Sequence, residues 1–452
     1  MDLSSYRKPV TNPEKNRQEK KNGSRDRWGY FLLFVYLFIE YGRPMDLMPF
    51  FKSLRPGMII DALLVLSWFT SGHLSLFNNS KQTKILWAFI GLMSVYIPFA
   101  TNNRWAFDQT LSMVLYMPFF LSAIFYIHSV ERLQKFFYFW ILLMIYISVK
   151  GILGKGIAGS SFLADENDFA LLLNIMLPFS FFLFLYEKMG IKKILCLIAS
   201  SMGILGVIVS SSRGGFVGLA GMVFVTWCLS PKKVLALLVA GILMGAFFFS
   251  ISSKYEARLS SITETNKGTA KERVESWKSA WEMFKAYPLG VGPNNFPIHF
   301  PEFQTSGAYR NMWGRVAHSL WFTLIPELGI IGLVVYSLLI IANLRDIFWL
   351  KKLFEIDENF KFLHFLSLAF MVSITGYFIS GTFLSVLYYP HFFYLTSLIV
   401  VSRKLAEKNL ENNREKLIKI FSLILNKPAW KSLVLRSIPQ THFSLPHELG
   451  SK

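Results

Sequence analysis

Two arginines and one histidine in the second half of this sequence suit a phosphorylated substrate at a membrane surface. Arg213 lies in a short polar run, residues 210–215, Arg273 lies in the long polar segment that follows, and His318 marks where apolar sequence resumes. The planar arginine side chain matches phosphate oxygens and keeps its charge, so it can stabilise a departing pyrophosphate. Histidine could remove the proton from an incoming hydroxyl. The pattern therefore predicts transfer from a lipid-linked pyrophosphate donor.

Arg213 gives the stronger indication of the two arginines. It lies only a few residues from predicted hydrocarbon, where an arginine is costly unless it faces a cavity or a partner. Its small neighbours Ser212 and Gly214 would let a large anionic group come close, so both are predicted substrate contacts. Arg273 could equally be an interfacial arginine that extends toward water. Three further arginines compete with it in the same polar segment: Arg258, Arg310 and Arg315.

His318 competes with two other histidines for the role of general base. His299 lies in the polar segment, and His391 lies inside the last apolar run. No pair of histidines has ligand spacing, so no metal site is predicted. The sequence also has no Walker loop or dinucleotide fingerprint, and we expect no cofactor.

The polar segment, residues 251–317, contains a helical period from Lys271 to Tyr287. This period predicts an amphipathic helix resting on the outer membrane interface, with Trp277 beside Arg273 as a contact for the lipid-linked substrate. The turn after it, residues 287–295, is rich in proline and glycine, which favours either a plain helix stop or backbone amides that bind an anion. The apolar face of the helix would be formed by Val274, Trp277, Trp281 and Phe284.

Composition indicates an all-α polytopic membrane protein. Hydrophobic residues make up 53% of the 452 positions and charged residues only 17%, a balance that soluble domains rarely have. The net charge of +19 comes mostly from tails and short loops, so membrane topology explains it better than nucleic acid does. Cys196 and Cys228 both lie in apolar runs, which argues against a disulfide framework.

Apolar runs predict about twelve transmembrane helices. Lys and Arg concentrate on one side of these runs, which places both termini in the cytoplasm and residues 251–317 outside. The predicted organisation is a basic tail (1–27), nine spans (28–250), the large loop (251–317), three spans (318–401) and a second basic tail (402–452). The runs are 28–40, 58–70, 85–100, 110–127, 136–153, 167–186, 194–210, 214–229, 234–251, 318–341, 362–380 and 383–401.

Four motifs between about residues 205 and 340 together resemble the O-antigen ligase family, which also includes O-antigen polymerases and bacterial protein O-oligosaccharyltransferases. In order they are Ser211-Ser212-Arg213-Gly214-Gly215, Arg273-x-x-x-Trp277 running into Pro288-Leu289-Gly290-Val291-Gly292-Pro293-x-Asn295-Phe296, His318-Ser319-Leu320, and Glu327-Leu328-Gly329-x-x-Gly332. Two amino-half motifs are similar to relatives associated with exosortase-type exopolysaccharide systems: Tyr41-Gly42-Arg43-Pro44 and residues 165–171.

The resemblance implies a metal-independent, inverting glycosyltransferase with a GT-C-like helical fold in the bacterial plasma membrane. Its donor would be a glycan on undecaprenyl pyrophosphate, bound by Arg213 and Arg273, with His318 as the base on the extracytoplasmic face. Glu327 would be structural or would pair with an arginine.

The acceptor stays open between a lipid-linked core sugar (ligase), another lipid-linked repeat (polymerase) and a protein hydroxyl. A flippase or exporter of lipid-linked saccharides is a different class with similar hydrophobicity. It would need basic residues at mid-membrane depth, whereas the candidates here cluster at one face.

Overall fold

The computed structural model describes residues 26–47, 50, 53–71, 80–229, 245, 269–304 and 314–411. Within these ranges the chain forms helices joined by turns, with no strand, so the predicted all-α class is confirmed there. The chain divides into two compact units, Met1–Arg403 and Lys404–Lys452. The second is described only as far as Glu411, and the site lies in the first.

The helices follow the predicted apolar runs closely. Helix α1 covers residues 26–37 and continues as the π-helical turn Phe38–Gly42. The others, in chain order, are α2 (Pro56–Ser71), α3 (Lys81–Tyr96), α4 (Asn103–Leu115), α5 (Met117–Tyr126), α6 (Val130–Leu153), α7 (Glu166–Tyr186), α8 (Ile191–Ser210), α9 (Arg213–Leu229), α10 (Thr269–Ala286), α11 (Phe296–Phe303), α12 (Leu320–Leu353), α13 (Lys361–Gly381) and α14 (Pro390–Glu411).

Six segments of the described chain are long and apolar enough to cross a membrane. They are Asn103–Tyr126, Val130–Leu153, Glu166–Tyr186, Ile191–Ser210, Leu320–Leu353 and Glu358–Gly381, and α2 and α9 are shorter apolar helices. The larger number, about twelve, therefore stays a prediction. The predicted span 234–251 lies outside the described residues except for position 245.

Several boundaries differ from the predicted runs; α12, for example, ends at Leu353 and not at 341. The run 110–127 is interrupted at Tyr116, where α4 ends and α5 begins with Pro118 in its first turn. The last apolar helix begins at Pro390, not at 383, because proline favours a helix start and the residues before it form turns. Helix α12 begins at Leu320, so His318 precedes the helix.

Helix α7 is the centre of the assembly and contacts α6, α8, α9 and α13. Small residues let its neighbours approach: a Cβ added at Gly215 of α9 would lie 2.4 Å from the Ala170 side chain. The buried amide of Asn174 donates to the Gly215 carbonyl (2.8 Å) and to Ser380 Oγ (3.2 Å). A polar group that bridges three helices in this way fixes their register, and it fixes the start of α9, where Arg213 lies.

Candidate active site

Arg213 is the first residue of α9 and its side chain is exposed. Before it, Ser211 adopts a left-handed conformation (φ 52°) that ends α8. Ser212 then caps α9, because its hydroxyl accepts from the Gly215 amide (3.0 Å) and donates to Asn167 Oδ1 (2.7 Å). The cap is thus held by both α9 and α7, and Arg213 projects from a fixed helix N-terminus, where the backbone dipole favours anions.

His318 occupies a closely similar position before α12. Its φ is 48°, and the following residue, Ser319, caps the helix by accepting from the Phe322 amide at 3.4 Å. A left-handed conformation of a residue other than glycine costs on the order of 1–3 kcal/mol and persists where the surroundings enforce it. Both predicted catalytic positions therefore lie at helix N-termini preceded by a strained backbone.

The charges of Arg213, Arg273 and Arg315 affect the pKa values of the predicted site residues. The pKa of Arg273 is lowered by burial and then by the positive charges of Arg213 and Arg315, while Asp165 raises it. Burial is also the largest cause that lowers the pKa of His318, to about 4, and Arg315 and Arg273 lower it further. The imidazole is therefore neutral near pH 7 and can accept a proton.

Arg315 is the member of this cluster that the sequence named only as a competitor of Arg273. Its guanidinium lies 2.7 Å from a carboxylate oxygen of Glu272, and both side chains are largely buried. Among the described residues, neither Arg213 nor Arg273 has a carboxylate within ion-pair distance. Of the three arginines, Arg315 is balanced and the other two leave a net positive site.

Trp277 positions the segment that carries His318. Its ring stacks on Phe322 with centroids 5.4 Å apart, and its indole N–H donates to the Ala317 carbonyl at 3.1 Å. It also lies 6.2 Å from the ring of Phe383, which faces Gly214 on α9. These contacts hold α10, α9 and the start of α12 around one point.

Helix α10 also has a second apolar face. Ala280 and Met283 are buried against Val291, Phe296, Phe300 and Ala317, whereas Val274 and Trp281 are about half exposed (46% and 48%). The predicted apolar face is therefore present in part, because Trp277 points inward.

The turn after α10 is built around Glu327 of α12. Gly290 and Gly292 both have φ 100°, and the amides of Val291 and Gly292 donate to the carbonyls of Pro326 and Glu327, both at 2.9 Å. Those carbonyls are free because α12 is broken at Gly329, whose φ of 60° and ψ of −161° are non-helical. The turn therefore fills a gap in the hydrogen bonds of a long helix.

The carboxyl group of Glu327 is the ligand of the turn's remaining amides. It accepts from the Asn294 amide (2.7 Å), the Phe296 amide (3.3 Å) and the Tyr388 hydroxyl (2.7 Å). The amides of Asn294 and Phe296 thus donate to a carboxyl group of the chain itself, and binding of an external anion by this turn stays a prediction. Glu327 is structural, and its partners are amides and a tyrosine instead of an arginine.

Residues 195–337 match the family model described as O-antigen ligase. This region of the chain is therefore similar to the O-antigen ligase family. The match covers less than half of the chain and contains Arg213, Arg273, His318 and Glu327, so the resemblance drawn from the motifs is confirmed over that range. This similarity indicates a glycosyltransferase-type membrane enzyme with a function in the cell envelope. No curated protein matches the chain.

The competing histidines His299 and His391 contact other parts of the chain. His299 contacts Thr101 Oγ1 at 2.9 Å and Glu302 at 3.4 Å. His391 is buried and its Nδ1 contacts the Tyr41 hydroxyl at 2.9 Å. His318, by contrast, has its pKa lowered by burial and then by Arg315 and Arg273. No group of three or more His, Cys, Asp or Glu in the described chain could hold a metal ion.

The Tyr41–Pro44 motif lies outside the matched region, residues 195–337. Its arginine forms a separate polar cluster with Ser160 and Asp46. Arg43 donates to Ser160 Oγ (2.9 and 3.1 Å) and lies 3.6 Å from Asp46. Asp46 accepts in turn from the Ser160 amide at 2.8 Å. Unlike Arg213, Arg43 has its hydrogen-bonding groups occupied by the protein.

Proposed function

We propose that this protein transfers a saccharide from undecaprenyl pyrophosphate to an acceptor hydroxyl outside the cytoplasm. The observation that carries the proposal is the arrangement of Arg213 and Arg273, two arginines without a carboxylate partner among the described residues, beside a neutral histidine. Arg273 is half-buried, and an unpaired cation at such a site favours an anionic ligand. The exposed Arg213 acts electrostatically on it, and a pyrophosphate presents several oxygens that two guanidinium groups can bind.

The proposed reaction is a single displacement. The acceptor oxygen forms a bond to the anomeric carbon, while the bond from that carbon to the pyrophosphate oxygen breaks, so the configuration inverts. The proton of the acceptor hydroxyl goes to the imidazole of His318. Arg213, Arg273 and the two capped helix N-termini stabilise the negative charge on the departing undecaprenyl pyrophosphate. Ser212, Gly214 and Trp277 shape this region.

The electrostatics of His318 suit this order of events. Without donor, burial and the charges of Arg315 and Arg273 hold the pKa of His318 at about 4, which leaves a weak base. A bound pyrophosphate brings negative charge next to these arginines and raises the histidine pKa toward its ordinary value. The base would therefore become effective only once the donor is in place.

For the membrane arrangement, we propose the plasma membrane, with both termini cytoplasmic and the site on the opposite face. The exposed pair Val274 and Trp281 on α10 supports this placement, because tryptophan and aliphatic side chains favour the membrane interface. The helix would then lie on the outer leaflet, close to the lipid-linked donor.

A reconstituted transfer assay tests the activity itself. The purified full chain in lipid vesicles, given a synthetic undecaprenyl-pyrophosphate glycan and candidate acceptors, should form the product and release undecaprenyl pyrophosphate. Activity should persist in excess chelator, and a loss restored by a divalent cation would contradict the metal-independent mechanism. Translocation of the donor without any cleavage of the sugar–phosphate bond would instead indicate a flippase.

Gene deletion distinguishes the acceptors. Loss of long-chain surface polysaccharide with accumulation of lipid-linked polymer would indicate a ligase. Single repeats capped onto a core would indicate a polymerase, and loss of protein glycoforms alone would indicate a protein oligosaccharyltransferase. We place ligase-like transfer first, and unchanged glycans of all these kinds would contradict the proposal.

A further inference from the structure

A cavity of about 270 Å³ lies next to the segment that carries His318. Its walls come from α4, from the turn that Glu327 holds, from the segment before α12, and from the non-helical residues that precede α14. Ala317 lines the cavity and is the direct neighbour of His318. This volume is near the lower end of the roughly 300–1,000 Å³ of small-molecule sites, so the cavity suits one small polar ring.

The chemistry of the cavity wall differs from that of the arginine site. No lysine or arginine lines it, and its carboxyl group, Glu327, already accepts three hydrogen bonds from protein groups. The other polar side chains of the wall are neutral: Gln109, Ser112, Tyr116, Asn294, Thr323, Ser385, Tyr388 and Tyr389. Four of their hydroxyls, those of Ser112, Thr323, Tyr388 and Tyr389, donate to protein oxygens and can still accept a hydrogen bond. A wall of this kind can donate to and accept from the hydroxyls of a ligand but offers nothing to balance a phosphate.

Two further observations point to a polar, uncharged ligand. The hydroxyl oxygen of Ser385 is buried and has no hydrogen-bond partner among the described residues, so it is able to pair with a hydroxyl group of a ligand. The rings of Tyr116, Tyr388 and Tyr389 supply flat apolar surface in the same wall. Hydroxyl and amide groups beside aromatic rings complement a pyranose, which is polar at its edges and apolar on its faces.

We propose that this cavity is the binding subsite for one neutral saccharide ring, held beside His318 while the arginines hold pyrophosphate. The proposal deepens the glycosyltransferase function proposed above and rests on it for the ring's role in transfer. The ring belongs either to the acceptor or to the donor, and both sources present the same chemistry.

The test measures binding directly, with the full chain in lipid nanodiscs. Glucose, galactose and N-acetylglucosamine serve as probes in saturation-transfer difference NMR. At least one of them should receive saturation from the wild-type protein. Ser112→Phe fills the cavity and should raise the dissociation constant about tenfold or more. Leu111→Phe, at the adjacent exposed position of α4, is the matched control and should bind as wild type does.

A second variant guards against misfolding of the filled cavity. Gln109→Ala removes one polar group without adding bulk, and it should weaken sugar binding several-fold while leaving the melting temperature unchanged. Absence of saturation transfer from the wild-type protein to all three sugars would overturn the proposal. Equal binding by wild type, Ser112→Phe and Gln109→Ala would overturn it as well.

Competition identifies the source of the ring. Undecaprenyl-pyrophosphate-linked N-acetylglucosamine should displace the bound monosaccharide if the cavity holds the donor sugar, and should leave it bound if the cavity holds the acceptor. Sugar binding without any glycan transfer would preserve the subsite and refute the proposed function. Transfer in which Ser112→Phe changes the KM of neither substrate would refute the subsite alone.

Discussion

The turn after α10 and the starts of α9 and α12 both place backbone amides or capped helix N-termini where an acidic group can bind. They differ in whether the chain itself provides that group. At the turn after α10, the amides of Asn294 and Phe296 are occupied by the carboxyl of Glu327. At the starts of α9 and α12, Ser212 and Ser319 cap the helices and Arg213 and Arg273 have no carboxylate partner among the described residues. The first site is complete within the fold, and for the second we propose that a pyrophosphate ligand supplies the acidic group.

The contrast separates structural from functional polar residues. Glu327, like Arg43, forms hydrogen bonds with other parts of the chain. Removing it should therefore lower the stability of the fold. The exposed side chain of Arg213 makes no hydrogen bond or ion pair among the described residues. Removing it should therefore lower activity and leave the fold intact. The predictions below test this division, beginning with the largest expected effect.

His318→Ala should lower kcat for glycan transfer by about 10²–10⁴-fold, the usual contribution of a general base. Added imidazole should restore part of the activity, because it can enter the space left by the side chain. The full chain in vesicles with a synthetic lipid-linked donor gives the measurement, and His299→Ala is the matched control. Wild-type turnover by His318→Ala would remove this residue from the mechanism.

The pH profiles should also show the state of His318. In the free enzyme its pKa is about 4, so the neutral base is present above that pH and is lost as pH falls through it. The acid limb of kcat/KM should therefore lie near pH 4, and that of kcat should lie higher because bound pyrophosphate raises the pKa. Coincident acid limbs would contradict the coupling between donor and base.

Arg213→Ala should lower kcat/KM by about 10²–10³-fold through lost stabilisation of the leaving group. Because its side chain is exposed and makes no ion pair among the described residues, the melting temperature should not change. Arg104→Ala is the control: Arg104 is also exposed, but it is paired with Asp108 at 2.9 Å. A large fall in melting temperature for Arg213→Ala would reassign that residue to the fold.

Arg273→Lys should lower kcat/KM by about 10–100-fold, because lysine keeps the charge but loses the paired hydrogen bonds of the guanidinium. The measurement is the same transfer assay, with the KM for the donor determined separately. Full activity of the lysine variant would reduce Arg273 to an interfacial cation.

Glu327→Ala should lower the free energy of unfolding by about 1–3 kcal/mol, because two amides and the Tyr388 hydroxyl lose their acceptor. Thermal unfolding in detergent measures this effect. We expect inorganic pyrophosphate to raise the melting temperature of the wild-type protein and of this variant, and to fail to do so for Arg213→Ala. A pyrophosphate response that is lost with Glu327 would contradict the separation of the two sites.

Trp277→Phe should have the smallest effect, about 0.5–1.5 kcal/mol in transition-state stabilisation, because the ring can still stack but the hydrogen bond to Ala317 is lost. We expect a lower kcat with little change in the KM for the donor. An increase in KM alone would indicate that Trp277 touches the substrate directly.

The positions of many apolar helices could be predicted from the sequence, because helices that cross a membrane consist of continuous apolar runs. Predicted runs such as 136–153 and 167–186 correspond to α6 and α7 with small changes at the ends. Arg213 and His318 could be singled out because a charged or titratable group at a membrane boundary is unusual. The motif order then indicated the family.

The failures concern contacts between residues far apart in sequence. At the break in α12, Gly329 packs against the backbone of Leu289. No local sequence pattern predicts a contact between residues so far apart. The pairing of Arg315 with Glu272 likewise arises from the return of the loop onto α10. The start of α14 at Pro390 could have been found from the proline itself, since its ring disfavours the helical conformation in the residue before it.

The hydrogen bonds that tie the turn to α12 also have a consequence for biosynthesis. Glu327 accepts a hydrogen bond from Tyr388, which is 61 positions later in the chain, so this contact of the turn cannot form until residue 388 has been synthesised. During synthesis the loop would remain unfinished while the earlier helices are already inserted. A ribosome-bound chain that ends before Tyr388 would therefore carry every predicted catalytic residue and still lack this contact.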